Sequence, residues 1–305
     1  MTRPTVSIVV ETVTLTEHGG SPLSLDLAGI ERQTYPRELI ETIVVVRDDA
    51  DAVELRRRHP SFRFVTAADN YFAAKNAGAA VAGGELIALL DGDCEPAPDW
   101  LDALVGRFEP GVDVVAGRTR YAGETMTART FSVPDFAYIL SEDDDAASGF
   151  NINNLAFRRE VLLAHPFDER IRRNGGCYFL FHQLRAAGAR VIYEPRATVA
   201  HGLDIQGLGF VRKHFDRGYD GVTVYRLDDG AVLRGTRVFR RLGAPALVAI
   251  FGRRIVIDWL RMLRHRRQIG ITLVALPYYA AVALTTRLIE LAGGLKAAVA
   301  PRASK

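Results

Sequence analysis

Over the first ninety residues, short β-branched runs alternate with helix-length amphipathic stretches. The pattern predicts strands over residues 6–10, 42–46, 62–66 and 86–90, and helices over 22–33, 50–58 and 73–82. Such alternation implies βαβ units, a mainly parallel sheet and helices on its faces. Gly83 and Gly84 are expected to stop the third helix as C-cap residues. The run "LIALL" at 86–90 is apolar without interruption, as in a strand buried on both faces. It leads into Asp91, Gly92 and Asp93, which places two carboxylates at the carboxyl end of a central strand. Ligands of open parallel sheets bind beyond those strand ends. Two carboxylates separated by one glycine can reach a divalent cation and a ribose or phosphate oxygen from one small loop. The alternative is a solvated turn in which Asp99 caps the helix beginning "WLDALV".

Beyond residue 202 the pattern changes. The stretch "TRVFRRLGAPALVAIFGRRIVIDWLRMLRHRRQ" sets arginines beside apolar blocks, which suits a helix lying on an anionic membrane surface. The following "IGITLVALPYYAAVALTT", residues 269–286, carries no charge. Its length is borderline for a ~30 Å hydrocarbon core, and Pro277 is expected to kink it. The basic residues at 261–267 would keep that side cytoplasmic. A buried helix or an interfacial hairpin are the alternatives, since Arg287 and Glu290 follow closely. Arginines alternating with long apolar blocks fit a lipid surface better than a nucleic acid. The expected division is an α/β domain over 1–225 and a basic, apolar helical region over 226–305, attached to the inner face of the cell membrane.

Composition refines this only slightly. Of 305 residues, 48% are hydrophobic and 25% charged, so the chain can bury a sizeable core. The net charge of +3 is concentrated late in the sequence. Cys94 and Cys177, without CxxC or Cys/His spacing, argue against a disulfide scaffold or structural zinc and for a reducing, cytoplasmic setting. The apolar run at 6–10 is too short for a signal segment and is expected to be the first strand.

Taken in order, "VSIVVET", "IERQTYPRELIETIVVVRDDAD" and "FAAKNAGAAVAGGELIALLDGDCEPAPDWLDALV" resemble the nucleotide-sugar half of family-2 glycosyltransferases of the GT-A fold. The "QTYP" turn, the "AAKNAG" helix start and the "LLDGDCEPAPDWL" run are the specific parts, and the likeness continues through "FNINNLAFRREVL" and "LRAAGARVIYEPRATVAHG". The resemblance implies a Rossmann-like, mostly parallel sheet and a nucleotide-binding set of Thr12, Asp48, Lys75, Asn76 and Asp91. Asp48 would meet the base, most often uracil, and Lys75 and Asn76 the base and diphosphate. It further implies Asp93 and His201 as ligands of Mg²⁺ or Mn²⁺, His201 alternatively touching the diphosphate, with Asn153 and Asn154 on the acceptor side. Glu11 stands where the family commonly has proline. The implied activity is transfer from a nucleotide-diphosphate donor, UDP-linked, to a glycan or lipid-linked acceptor.

One position departs from the family. Its general base is commonly the aspartate of a Glu-Asp pair about a dozen residues before the "RxAG" helix end. Here Gly176 and Cys177 stand there, and an ordinary thiol with a pKa of roughly 8.5 is a poor base. Asp135, residues 142–145 and His182 are the other candidates. Three outcomes stay open: a base from elsewhere, retaining chemistry, or lost activity, the last making the chain a nucleotide-sugar-binding or scaffold subunit. Arg212, Lys213, His214 and Arg217 are expected either to close over phosphate or to form an ordinary basic helix surface.

Overall fold

The computed structural model describes residues 3–17, 20–68, 70–123, 125–136, 139, 147–202, 208–229 and 232–300. The first half holds β1 (Val6–Glu11), α1 (Val13–Glu17), α2 (Ala28–Glu31), β2 (Ile40–Val46), α3 (Asp49–Arg58), β3 (Arg63–Thr66), α4 (Tyr71–Val81), β4 (Leu86–Asp91), β5 (Cys94–Pro96), α5 (Trp100–Val105), β6 (Val114–Tyr121) and α6 (Met126–Phe136). The second holds β7 (Asn154–Arg158), α7 (Arg159–Ala164), α8 (Gly176–Ala186), β8 (Val191–His201), α9 (Leu208–Leu227), α10 (Arg234–Leu242), α11 (Ala244–Arg264), α12 (Arg266–Ile269) and α13 (Leu276–Val299).

The strands form one sheet in the order β3-β2-β1-β4-β7-β6-β8-β5. β3, β2, β1 and β4 are mutually parallel, with Val9 level with Ile43 and Leu89, while β7 and β5 run against their neighbours. Period-two alternation sends Val9, Val45 and Leu89 into one apolar core and Ile8, Val44 and Leu90 into the other. Covering both faces explains the uninterrupted apolar runs. The expected α/β architecture is therefore present, with reversal confined to β7 and β5.

Three local expectations are corrected. Residues 22–33 do not form one helix: a 3-10 turn at Pro22–Ser24 is followed by the single turn α2. Ser24 Oγ donates to Ser21 O (2.6 Å) and Asp26 Oδ1 accepts from Ala28 N (2.9 Å), so short polar side chains compete with the helical ladder. Gly83 and Gly84 are not left-handed caps; Ala82 ends α4 in extended conformation. Gly84 is required by proximity, since a Cβ there would lie 2.5 Å from Ser7 N. Asp99 occupies the N-cap position of α5 without a side-chain bond, because Gln33 Oε1 accepts from Leu101 N instead (2.9 Å).

The C-terminal helices pack on the sheet domain. The expected boundary after residue 225 falls inside α9, which lies against α13. The two cross backbone to backbone: a Cβ on Gly218 would overlap the Glu290 carbonyl, and one on Gly293 would overlap that of Phe215. A chain of buried ions fills the same region. Arg287 bonds Asp258 (2.7 Å) and Glu290 (2.5 Å), Glu290 faces His214 (3.4 Å), and Asp135 accepts from Arg217 (2.6 Å), Lys213 (2.9 Å) and Tyr121 (2.5 Å). Lys213, His214 and Arg217 thus converge on Asp135, and Arg212 is exposed near Asp216. Residues 269–286 are not one helix, because Gly270 turns left-handed (φ 78°) before α13 starts. Pro277 does not kink α13; it sits in the first turn, where its missing N–H is not needed. Among the described residues one helix, Leu273–Val299, is long and apolar enough to cross a membrane, yet it buries Arg287 and Glu290 against the protein.

Candidate active site

The carboxylates of Asp91 and Asp93, the Cys94 thiol and the His201 imidazole lie within 4.8 Å of one another. Strand pairing brings them together: β4 delivers Asp91, and Cys94 on β5 faces His201 on β8. Gly202 N donates to Asp93 O (2.8 Å), fixing the loop after Gly92 against the end of β8.

Asp91 is neutralised from within the protein. Tyr71 Oη donates to both its oxygens (2.9 Å each), and Lys75 Nζ, wholly buried, lies 2.8 Å from Oδ1 and donates to Leu90 O (2.5 Å). Burial acts to raise the Asp91 pKa, but Lys75 and Arg173 outweigh it and hold the carboxyl below its usual value. Arg173 lies 3.8 Å over the Tyr71 ring, a cation–π contact that carries its charge to the site. Glu11 is paired with Asp91 across β1 and β4 and accepts from Thr14 N and Oγ1 (3.1 Å each). Burial first, then the charge of Asp91, lift its pKa to about 7.

Asp93 is aimed differently. Its Oδ2 lies 3.6 Å from His201 Nε2, and His201 Nδ1 bonds Gly202 O (2.8 Å). That carbonyl selects the tautomer whose Nε2 lone pair points at Asp93, the usual orienting device of a metal-binding histidine. Burial and the charge of Asp93 push the Cys94 thiol well above its ordinary range, so it stays protonated and is no ligand for a hard cation. Carboxylate oxygens and one imidazole fit Mn²⁺ or Mg²⁺.

Thr12 and Asp48 lie just past the ends of β1 and β2. Thr12 donates to Val45 O through both N (3.1 Å) and Oγ1 (3.3 Å), whereas Asp48 is exposed and caps α3 by accepting from Asp51 N (2.9 Å). Asn76 points elsewhere: its amide bonds Phe167 O, Phe167 N and Glu169 Oε1, bracing α4 against the loop before α8. Asn153 accepts from Thr119 Oγ1 (3.0 Å). Asn154 is wholly buried between Trp100 Nε1 (2.8 Å) and Ala197 O (3.0 Å), an internal strut rather than a surface facing an acceptor.

Cys177 lies in the first turn of α8, and burial pushes its thiol up to about 11, so it is protonated at neutral pH and unsuited as a base. Asp135 is no better: despite burial, Lys213, His214 and Arg217 hold it far below the usual carboxylate range. His182 is half-buried on α8 between Tyr178 and Phe181, and burial lowers its pKa. Residues 142–145 lie outside the described residues. Sequence reasoning missed Tyr71 and Arg173, whose place under Asp91 follows from packing and not from spacing. It also missed Asp220 of α9, which accepts from Asn174 N (3.1 Å) and Nδ2 (2.8 Å) at the mouth of α8.

A sheet of this topology, with an Asp-Gly-Asp loop and a distant histidine meeting at the ends of its strands, defines a GT-A glycosyltransferase. Comparison with known proteins agrees. The Glycosyl transferase family 2 profile matches residues 27–163. Glycosyltransferase AglE of Haloferax volcanii is 30% identical over 293 residues, covering 85% of this chain and 92% of that protein. The glucosyl-dolichyl phosphate glucuronosyltransferase of the same organism is 25% identical over 222 residues, covering 65% of this chain and 69% of its own length. The mannosyltransferase PcManGT from Pyrobaculum calidifontis, solved in complex with GDP-Man and Mn²⁺, shares the fold with a TM-score of 0.61 and 19% identity, covering 97% of this chain and 88% of its own. The chain belongs to glycosyltransferase family 2.

Proposed function

We propose that this glycosyltransferase moves a sugar from a UDP-linked donor to a lipid-linked or polysaccharide acceptor at the cytoplasmic membrane face, using Mn²⁺ or Mg²⁺. The observation that carries this reading is the division of labour between Asp91, neutralised by Lys75 and Tyr71, and Asp93, turned toward His201. Asp93 and His201 would hold the ion. When bound, such a cation stabilises the charge growing on the departing nucleoside diphosphate. Thr12 and Asp48 would line the nucleoside, Lys75 keeps Asp91 ionised and in place, and Arg173 adds a cation at the rim. The relatives named above support a nucleotide-sugar donor and a lipid-linked acceptor.

Attachment to the membrane rests on the C-terminal helices. α11 exposes Val248, Val256, Trp259, Leu260 and Leu263, and the turn before α13 exposes Leu273 and Val274, all close in sequence to arginines. Because Arg287 and Glu290 face the protein, α13 lies on the surface of the sheet domain, and its exposed neighbours meet the lipid from one side. The test is donor hydrolysis with Mn²⁺, comparing wild type with Asp93→Ala. The variant should lose roughly 10²-fold or more, and full turnover without the carboxylate would reject the reading.

A further inference from the structure

The His201 imidazole is oriented at Nδ1 by the carbonyl of the next residue, Gly202 (2.8 Å). A bond to so near a carbonyl constrains the ring only loosely, because the torsion about Cβ–Cγ of histidine is broad. Turning about that bond would carry Nε2 off its line to Asp93. Two aromatic rings close on this freedom. Tyr121 stands at 74° to the imidazole with centroids 5.4 Å apart, and Phe136 is tilted at 40° with centroids 5.6 Å apart. The two rings also pack on each other, at 4.9 Å. Tyr121 is the register partner of His201 across β6 and β8, and Ala122 N donates to His201 O (2.8 Å). The strands therefore fix where the tyrosine starts relative to the histidine.

The far end of Tyr121 is fixed as well. Its hydroxyl donates to Asp135 Oδ2 (2.5 Å) and accepts from Lys213 Nζ, and its backbone N donates to Ser132 Oγ (3.1 Å). Asp135 is held in turn by Arg217 (2.6 Å) and Lys213 (2.9 Å). Tyr121 is 2% exposed and Asp135 4% exposed. Packing alone would seat an apolar ring here, whereas a hydroxyl bonded within a buried ion cluster sets the direction of the ring axis to hydrogen-bond precision. The tyrosine thus spans from the helices α6 and α9 to the ring of His201.

We propose that Tyr121 is a positioning residue for His201: its hydroxyl, anchored to Asp135 and Lys213, sets a ring that, with Phe136, keeps Nε2 turned toward Asp93. This rests on the transfer reading above, in which Asp93 and His201 take up the cation. Tyr121 acts through the imidazole alone. An imidazole already set in place loses less freedom when the cation binds, so the affinity is higher.

The experiment titrates the full chain with Mn²⁺ alone and reads the free ion by electron paramagnetic resonance, well below the unfolding midpoint of each variant. Outer partners of a metal-binding histidine are worth roughly 10–100-fold in metal affinity. Tyr121→Leu, which removes both ring and hydroxyl, should weaken binding by about tenfold, at the lower end of that range because it acts by packing. Tyr121→Phe keeps the ring and should weaken binding by about threefold. Gly218→Ala, which strains the helical crossing away from Tyr121, should bind as wild type does. Unchanged affinity in both Tyr121 variants, with only the unfolding midpoint lowered, would overturn the proposal. So would an equal loss in Gly218→Ala, since affinity would then follow stability. Full affinity in Tyr121→Phe beside a loss in Tyr121→Leu would reject the hydroxyl anchor. Asp93→Ala separates the two readings. If it binds Mn²⁺ as tightly as wild type, the cation assignment fails and Tyr121 has nothing to position; if it loses binding while the Tyr121 variants do not, only the positioning role is rejected.

Discussion

Two buried groups of charge sit on either side of Tyr121, and they are built to opposite ends. At the carboxyl ends of the strands, Asp91 is bonded by Lys75 and Tyr71 while Asp93 and His201, each about a tenth exposed, look outward. In the helical region, Asp135, Glu290 and Asp258 are each bonded to arginine, and Lys213 and His214 fill the remaining sides. Despite burial, Arg287 and its cationic neighbours hold Glu290 far below its usual range. The first group is the one proposed above to take up a cation. In the second every carboxylate already has a cationic partner, and its work is to fix α9, α11 and α13 against the sheet domain.

The largest effect is expected where completeness is broken. Arg287→Ala would leave Asp258 and Glu290 buried without their shared cation, costing about 3–5 kcal/mol by denaturant unfolding. A loss below about 1 kcal/mol would show that the bundle does not depend on that network. Next comes the crossing beside it. Gly218→Ala drives a methyl into the Glu290 carbonyl and should cost about 1–3 kcal/mol, lowering the melting temperature while Mn²⁺ binding is retained.

The third effect separates the strand-end group by pH. Glu11 is raised from 4.5 to about 7 in the folded, metal-free protein, so the native state binds the extra proton between those values. Its contribution is fully present below pH 4.5 and is lost as pH rises through about 7, at no more than ~1.4 kcal/mol per pH unit. Asp91 has the opposite sign: its lowered pKa stabilises above 3.8 and is lost only on stronger acidification, so the two windows do not overlap. Glu11→Gln should flatten the stability profile above pH 4.5 and leave the acid limb unchanged. An unaltered slope would mean that Glu11 is ionised throughout.

Much of the first group was legible in the sequence, because strand periodicity places Asp91 and Asp93 at a strand end whatever the rest of the fold does. The start of β4 at Leu86 and the inner part of β2, residues 43–46, follow from uninterrupted apolar runs, whereas its first residues, Ile40 and Glu41, were not expected. The helix expected over 22–33 failed because the hydroxyl of Ser24 and the carboxylate of Asp26 form local bonds that hydrophobic patterning does not register. Asn76 and Asn154 were read as ligand contacts, yet both make long-range bonds within the protein that only the folded chain reveals. The second group was hardly legible. Arg287 and Glu290 looked like the end of an apolar segment, since sequence spacing does not show that Asp258 and His214 wait opposite them.

The strand order also bears on how the site comes into being. Asp93 and His201 belong to segments far apart in the chain, and they meet only when β5 pairs with β8 at the last position of the sheet. Closing so long a loop is slow and comes after local helices and hairpins have formed. A nascent or partly folded chain can therefore possess the Asp-Gly-Asp loop without the proposed cation site. On the proposed reading, the pairing of the outermost strand is what completes the set of residues that would bind the cation.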